Sequence, residues 1–181
     1  MPLSPPTADR QRIHRRNIVI EGFRRSDGLY DIEGRLTDVK DVDVQLSEGV
    51  RRAGEPIHEM AVRLTIDSTL TIVEAQSITD VMPYSGVCQQ INPDYARLQG
   101  VRIAPGFTAL LRDLFGGIKG CTHITELIGN MATGAYQTLA GERRQDPDRK
   151  PFQLDGCHAL DTRGPAVARY YPRWVRASKE A

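Results

Sequence analysis

The sequence predicts an α+β domain in which an antiparallel β-meander is followed by a helical layer packed on one face. Three observations point there. Residues His58 to Ile66 alternate strictly, with Met60, Val62, Leu64 and Ile66 apolar and Glu59, Ala61, Arg63 and Thr65 between them, the two-residue period of a half-buried strand. Two later segments, Gly106 to Phe115 and Thr122 to Gly141, carry apolar residues at helical spacing instead. All the strand signals precede both helices, and that order suits a segregated sheet and helical layer better than alternating βαβ units.

The elements follow in order. Residues 1–16 read as a flexible basic arm, with Pro2, Pro5 and Pro6 and then the run RQRIHRR; residues 17–181 form the expected single domain. Asn17 to Phe23 is a strand by composition, Asp27-Gly28 is a turn pair, and Leu29, Tyr30, Ile32 and Leu36 continue as the return strand. Asp38 to Gly54 is charged and lacks a period, so it reads as a loop with a short strand near Val42 to Leu46. A second hairpin joins His58–Ile66 to Leu70–Ala75. Pro83 and Gly86 end the sheet region, and a short helix is expected from Pro93 to Gln99.

In the first long helix Phe107, Leu110, Leu111, Leu114 and Phe115 share a face, closed by Gly116-Gly117. The second starts at Cys121 or Thr122, with Ile124, Leu127, Ile128, Met131, Ala135 and Leu139 on its apolar side. Glu142 to Lys150, ERRQDPDRK, reads as a mobile surface loop. Phe152, Leu154, Tyr170, Tyr171 and Trp174 suit a tail packed back on the body.

Composition bounds the function. With 181 residues, 40% hydrophobic and 26% charged, the chain is long and apolar enough to bury a core, which excludes disordered and fibrous classes. Its 24 Lys+Arg against 23 Asp+Glu leave a net charge of +1, so no global field recruits nucleic acid or an anionic membrane. Without an apolar leader or spanning segment the expectation is a cytoplasmic protein. Three cysteines, an odd number, do not make a secreted disulfide framework. The expected partner is a small molecule, with assembly into a homo-oligomer left open.

Of four histidines, two lie beside cysteines, in Gly120-Cys121-Thr122-His123 and in Gly156-Cys157-His158. Cys121 opens a helix, where free N–H groups and the positive end of the dipole favour a thiolate. Such a thiolate is a metal ligand or a nucleophile, with His123 a second ligand or a base; otherwise Cys121 is a small buried residue at the helix–sheet contact. Cys88 follows a Pro-Tyr-Ser-Gly turn and His58 begins the best strand, positions at which loops converge on one end of a layer. Asp80, Tyr84 and Glu126 are candidate proton-transfer groups, Tyr84 and Glu126 above all. The pairs Arg15-Arg16, Arg24-Arg25, Arg51-Arg52 and Arg143-Arg144 read as solvated faces, one of which could hold a ligand's carboxylate or phosphate.

The segments G-x-P-I-H-E-M-x-V-R-L-T-I-D (Gly54 to Asp67), P-Y-x-x-x-C (Pro83 to Cys88), G-G-x-x-G-C-T-H-I-T-E-L (Gly116 to Leu127) and D-G-C-H-A-L (Asp155 to Leu160) resemble the bacterial domain of unknown function 2889 family. That resemblance implies a relationship and no activity. The layout is also similar to U-type iron-sulfur scaffold proteins, with Cys88 at the loop cysteine, Cys121 at the helix-start cysteine and His58 near the strand-start acidic ligand. It departs from them at Pro56-Ile57-His58, where the scaffolds open with Cys-Gly-Asp.

These observations lead to a small enzyme, a lyase or hydrolase, acting on a small organic molecule, aromatic compounds included. Its expected site is zinc or iron held by His58, Cys88, Cys121 and His123, with His123, Tyr84 and Glu126 as catalytic groups. The alternatives are a metal-free acid–base lyase on an aromatic compound and a metal or iron-sulfur carrier. A module in which the thiols are only core is the bland case.

Overall fold

A computed structural model describes residues 3–142 and 148–176, which fall into two compact units, residues 1–142 and 143–181. Unit 1 is built on four antiparallel strands: β1 (His14–Arg24), β2 (Tyr30–Lys40), β5 (Pro56–Ile66) and β6 (Ile72–Val81), side by side in that order. A separate small hairpin, β3 (Val44–Leu46) with β4 (Gly49–Arg51), is inserted between β2 and β5. The meander followed by helices is thus the observed α+β architecture.

Alternation explains the layering. Ile32, Gly34 and Leu36 of β2 and Met60, Val62, Leu64 and Ile66 of β5 are buried at alternate positions, so these two central strands turn one continuous apolar face toward the helices. The helix α1 (Phe107–Phe115) buries Phe107, Leu111 and Phe115. The longer α2 (Thr122–Leu139) buries Ile124, Leu127, Ile128, Met131, Ala135 and Leu139, packing on β1, β2 and β5. Gly34 lets α2 approach β2 closely, because a Cβ there would lie 2.7 Å from Met131 Sδ and 3.0 Å from Leu127 Cδ1.

A 3-10 segment, Cys88–Leu98, covers β6 and buries Tyr95 and Leu98; it starts five residues before the expected helix at Pro93. Tyr95 stacks on Phe115 with ring centroids 4.5 Å apart. Its hydroxyl accepts the backbone N–H of Cys121 at 2.9 Å, satisfying one of the free donors at the start of α2.

Two boundaries differ from the sequence expectation, for one reason. The region read as a loop from Asp38 is strand until Lys40, and the basic run read as arm is strand from His14. A charged residue at a core-facing position breaks the apolar pattern and reads as a strand end. Here the charges on adjacent strands pair with one another, so the ladder continues: Arg16 stands opposite Asp38, and Asp38 opposite His58.

Unit 2 contains α3 (Pro165–Tyr170), with Val167 and Leu154 buried. Asp155 ties this unit together, its Oδ1 accepting the N–H and hydroxyl of Thr162 at 2.8 and 2.9 Å while Lys150 pairs with Oδ2. Arg143 to Pro147, inside the loop expected over Glu142 to Lys150, lie outside the described residues. No helix among the described residues is long and apolar enough to cross a membrane.

Candidate metal centre at the end of the sheet

The core-facing side of the sheet changes chemistry at one end. Moving along the strands, the cross-strand row Ile18–Leu36–Met60 is followed two residues on by Arg16–Asp38–His58. The same period that buries Leu36 and Met60 therefore turns Asp38 and His58 toward the helical layer. From above, the first turn of α2 adds His123, and its next residues add Glu126.

Asp38 is the centre of this group and is only 3% exposed. Arg16 grips it with two prongs, Nε to Oδ1 and Nη2 to Oδ2, both at 2.8 Å. His14 Nε2 lies 2.9 Å from Oδ1. On the other oxygen, His58 Nδ1 lies 3.3 Å and His123 Nε2 3.6 Å from Oδ2. Three of the four histidines thus converge on one carboxylate. Arg16 Nη1 reaches beyond it to Glu126 Oε2, so the guanidinium bridges two acids.

Electrostatics fix the protonation states. Burial pushes the Asp38 carboxyl up, but hydrogen bonds from Arg16 and His14 and the charge of Arg16 outweigh this and hold it at about 2. Asp38 is therefore ionised at neutral pH. Burial lowers the pKa of His58, and the neighbouring His123 lowers it further against the pull of Asp38. His123 is lowered by burial and by Arg16, again against Asp38. Both imidazoles are held neutral, with ring centroids 3.9 Å apart.

An anionic oxygen and two neutral imidazole nitrogens make a donor set for a borderline-soft divalent ion. The ligand atoms of Asp38, His58 and His123 all lie within 4.8 Å of one another, and among the described residues this is the one such group of three. Ligands about 2.0–2.1 Å from a tetrahedral ion are separated by about 3.4 Å. The 3.3 and 3.6 Å separations at Oδ2 bracket that value, so the carboxylate oxygen meets each imidazole at a metal-ligand spacing, and the chemistry of the three donors fits a metal.

The sequence candidates divide accordingly. His58 and His123 come together. Cys121 lies beside them, with Sγ 3.9 Å from His123 Nδ1, on the ring nitrogen opposite the one that faces Asp38. That places the sulfur where an outer partner would orient the ring and fix its tautomer. Cys88 opens the 3-10 segment and belongs to no three-ligand group among the described residues. Tyr84 is 60% exposed, and no hydrogen bond among the described residues joins its phenol to Asp38, His58 or His123. Glu126 pairs with Arg16, and Asp80 with Arg35 at 3.5 Å. Cys157 is exposed in unit 2.

Sequence reading missed His14 and Asp38, and read Arg16, with Arg15, as a solvated face open to a ligand's acid, whereas it pairs with the chain's own Asp38 and Glu126; a signal for each exists. His14 and Arg16 continue the even spacing of Ile18 and Ile20, and Asp38 continues that of Ile32, Gly34 and Leu36. A polar residue in phase with an apolar stripe is as informative as the stripe.

Comparison with known proteins gives one positive result. No curated protein and no solved structure matches the chain. The family model described as "Protein of unknown function (DUF2889)" matches residues 14–137, more than half of the chain. That span begins at His14 and takes in Arg16, Asp38, His58, Cys121, His123 and Glu126, while Asp155 to Leu160 lies beyond it. From the convergent site to the helix that completes it, the chain belongs to the DUF2889 family.

Proposed function

We propose that this chain is a metal-dependent enzyme of the lyase or hydrolase type, acting on a small organic molecule, with zinc or iron held by Asp38, His58 and His123. The observation that carries the reading is the spacing at Asp38 Oδ2, where two neutral imidazole nitrogens stand at 3.3 and 3.6 Å. Three protein ligands leave a coordination position for substrate or water, as in catalytic rather than structural sites. Such an ion supplies Lewis-acid chemistry, drawing electron density from a carbonyl or hydroxyl of the substrate.

The chain's own groups do the rest. His14 orients the Asp38 carboxylate through Oδ1, and Cys121 sets the plane of His123. His14, with a side chain 39% exposed and one ring nitrogen on Asp38, is the imidazole placed to exchange protons with solvent and substrate. The metal-free acid–base reading has one observation in its favour: Arg16 already neutralises Asp38 without an ion.

Elemental analysis of protein purified without an affinity metal separates the two. The expected result is about one zinc or iron per chain, absent from His58→Ala and His123→Ala and retained by Cys88→Ser. With the ion confirmed, a panel of hydroxylated and carbonyl-bearing aromatic compounds should reveal turnover that a chelator abolishes. Metal-free wild-type protein that does not take up zinc or iron on addition overturns the proposal.

A further inference from the structure

Resting on the metal reading above, we propose that Arg16 is the resident cation of this site, and that it transfers from Asp38 to Glu126 when a divalent ion binds. The guanidinium occupies both oxygens of Asp38, including Oδ2, the atom a metal would share with His58 and His123. A divalent ion there and a guanidinium on the same carboxylate place three positive charges around one negative one. Each weakens the other's hold.

The structure supplies a second acceptor. Glu126 already accepts Arg16 Nη1, and its side chain is 42% exposed, so it reaches the guanidinium from the solvent side of the site. It lies three residues beyond His123 on α2, on the same side of the helix. Arg16 is attached to edge strand β1 by a long side chain, so a rotation about its bonds moves the charge without moving the sheet. Asp38 keeps His14 on Oδ1 throughout. Glu126 thereby sets the affinity of a metal it does not touch, and it is a positioning residue acting through Arg16.

Zinc affinity, read by competition with a chromophoric chelator, tests this in four proteins. Arg16→Met should tighten zinc by about tenfold or more, because the competing cation is gone, and Glu126→Gln should weaken it by about tenfold, because Arg16 loses its second partner. The double variant should bind like Arg16→Met. Arg16→Lys keeps a charge without the two-pronged grip and should fall between wild type and Arg16→Met, which maintains the test if Arg16→Met fails to fold. Unchanged or weaker binding by both Arg16 variants overturns the proposal. So does an equal effect of Glu126→Gln with and without Arg16, the mark of direct attraction between Glu126 and the ion. Failure of wild type itself to bind zinc is a separate result, which removes the metal reading first.

Discussion

Two ends of one sheet face share the strands β1, β2 and β5 and the same cross-strand alternation, and differ in side-chain chemistry and in the register shifts, at Asp38/Val39 and Glu59/Met60, that mark the polar end. At the apolar end, Ile18, Leu36 and Met60 form a cross-strand row whose two central members are fully or almost fully buried. Two residues along, Arg16, Asp38 and His58 form the next row, with Asp38 almost as buried as Leu36. Along β1, β2 and β5 the two rows are paired alike, residue opposite residue. Stability at the first comes from removing hydrocarbon from water; at the second, each buried polar group depends on its neighbour, and the loss of one leaves another uncompensated.

The contrast is sharpest at Asp38. Asp38→Asn should cost about 3–5 kcal/mol, since Arg16 loses its buried counter-charge and keeps only the more exposed Glu126, and metal binding should disappear with it; denaturant unfolding and elemental analysis check both halves. Leu36→Ala, one row away, should cost about 2–5 kcal/mol through the cavity it leaves and yet retain the metal. Equal metal loss in the two variants would mean that the polar row has no chemistry of its own.

Acid should act on one row alone. In metal-free protein His58 and His123 have folded-state pKa values below the usual 6.5, so the unfolded chain takes up those protons first. Stability is then full above pH 6.5 and falls as pH drops through the folded values, by up to about 1.4 kcal/mol per pH unit for each proton. A second loss follows between pH 3.8 and about 2, where Asp38 protonates. His58→Leu, which makes the second row more like the first, should flatten the upper part of the profile; an unchanged slope would place the titration elsewhere.

Smallest of all is Cys88→Ser. With Cys88 outside the three-ligand group, the change should stay within about 0.5 kcal/mol and leave metal content unaltered. A metal-free Cys88→Ser protein would restore the four-ligand Cys/His site and remove the one centred on Asp38.

Much of the fold was legible because its signals are local. The alternation of Met60, Val62, Leu64 and Ile66 specifies a strand within a single window, and the spacing of Leu127, Ile128, Met131 and Ala135 specifies one helical face. His58 and His123 stood out for a similar reason, each beginning a strongly periodic element. Asp38 and Arg16 did not, because neither is marked by its own neighbours: a charge after a run of apolar residues reads as the end of a strand until its partner is known. Cys88 shows the opposite limit, since a thiol in a loop at a strand end has the right chemistry and stands apart from the three ligands.

By itself the sequence determined the segregated strands and helices, the face each buries, and the presence of imidazole and thiol at the starts of periodic elements, all set by interactions within a few residues. The tertiary structure alone decided which acid they meet. Asp38 joins His14, His58, His123 and Arg16 only through strand register and the placement of α2, and register is fixed by the apolar rows beside the site, because a one-residue slip of a strand would turn its whole apolar set, and its member of the polar row with it, to the other face.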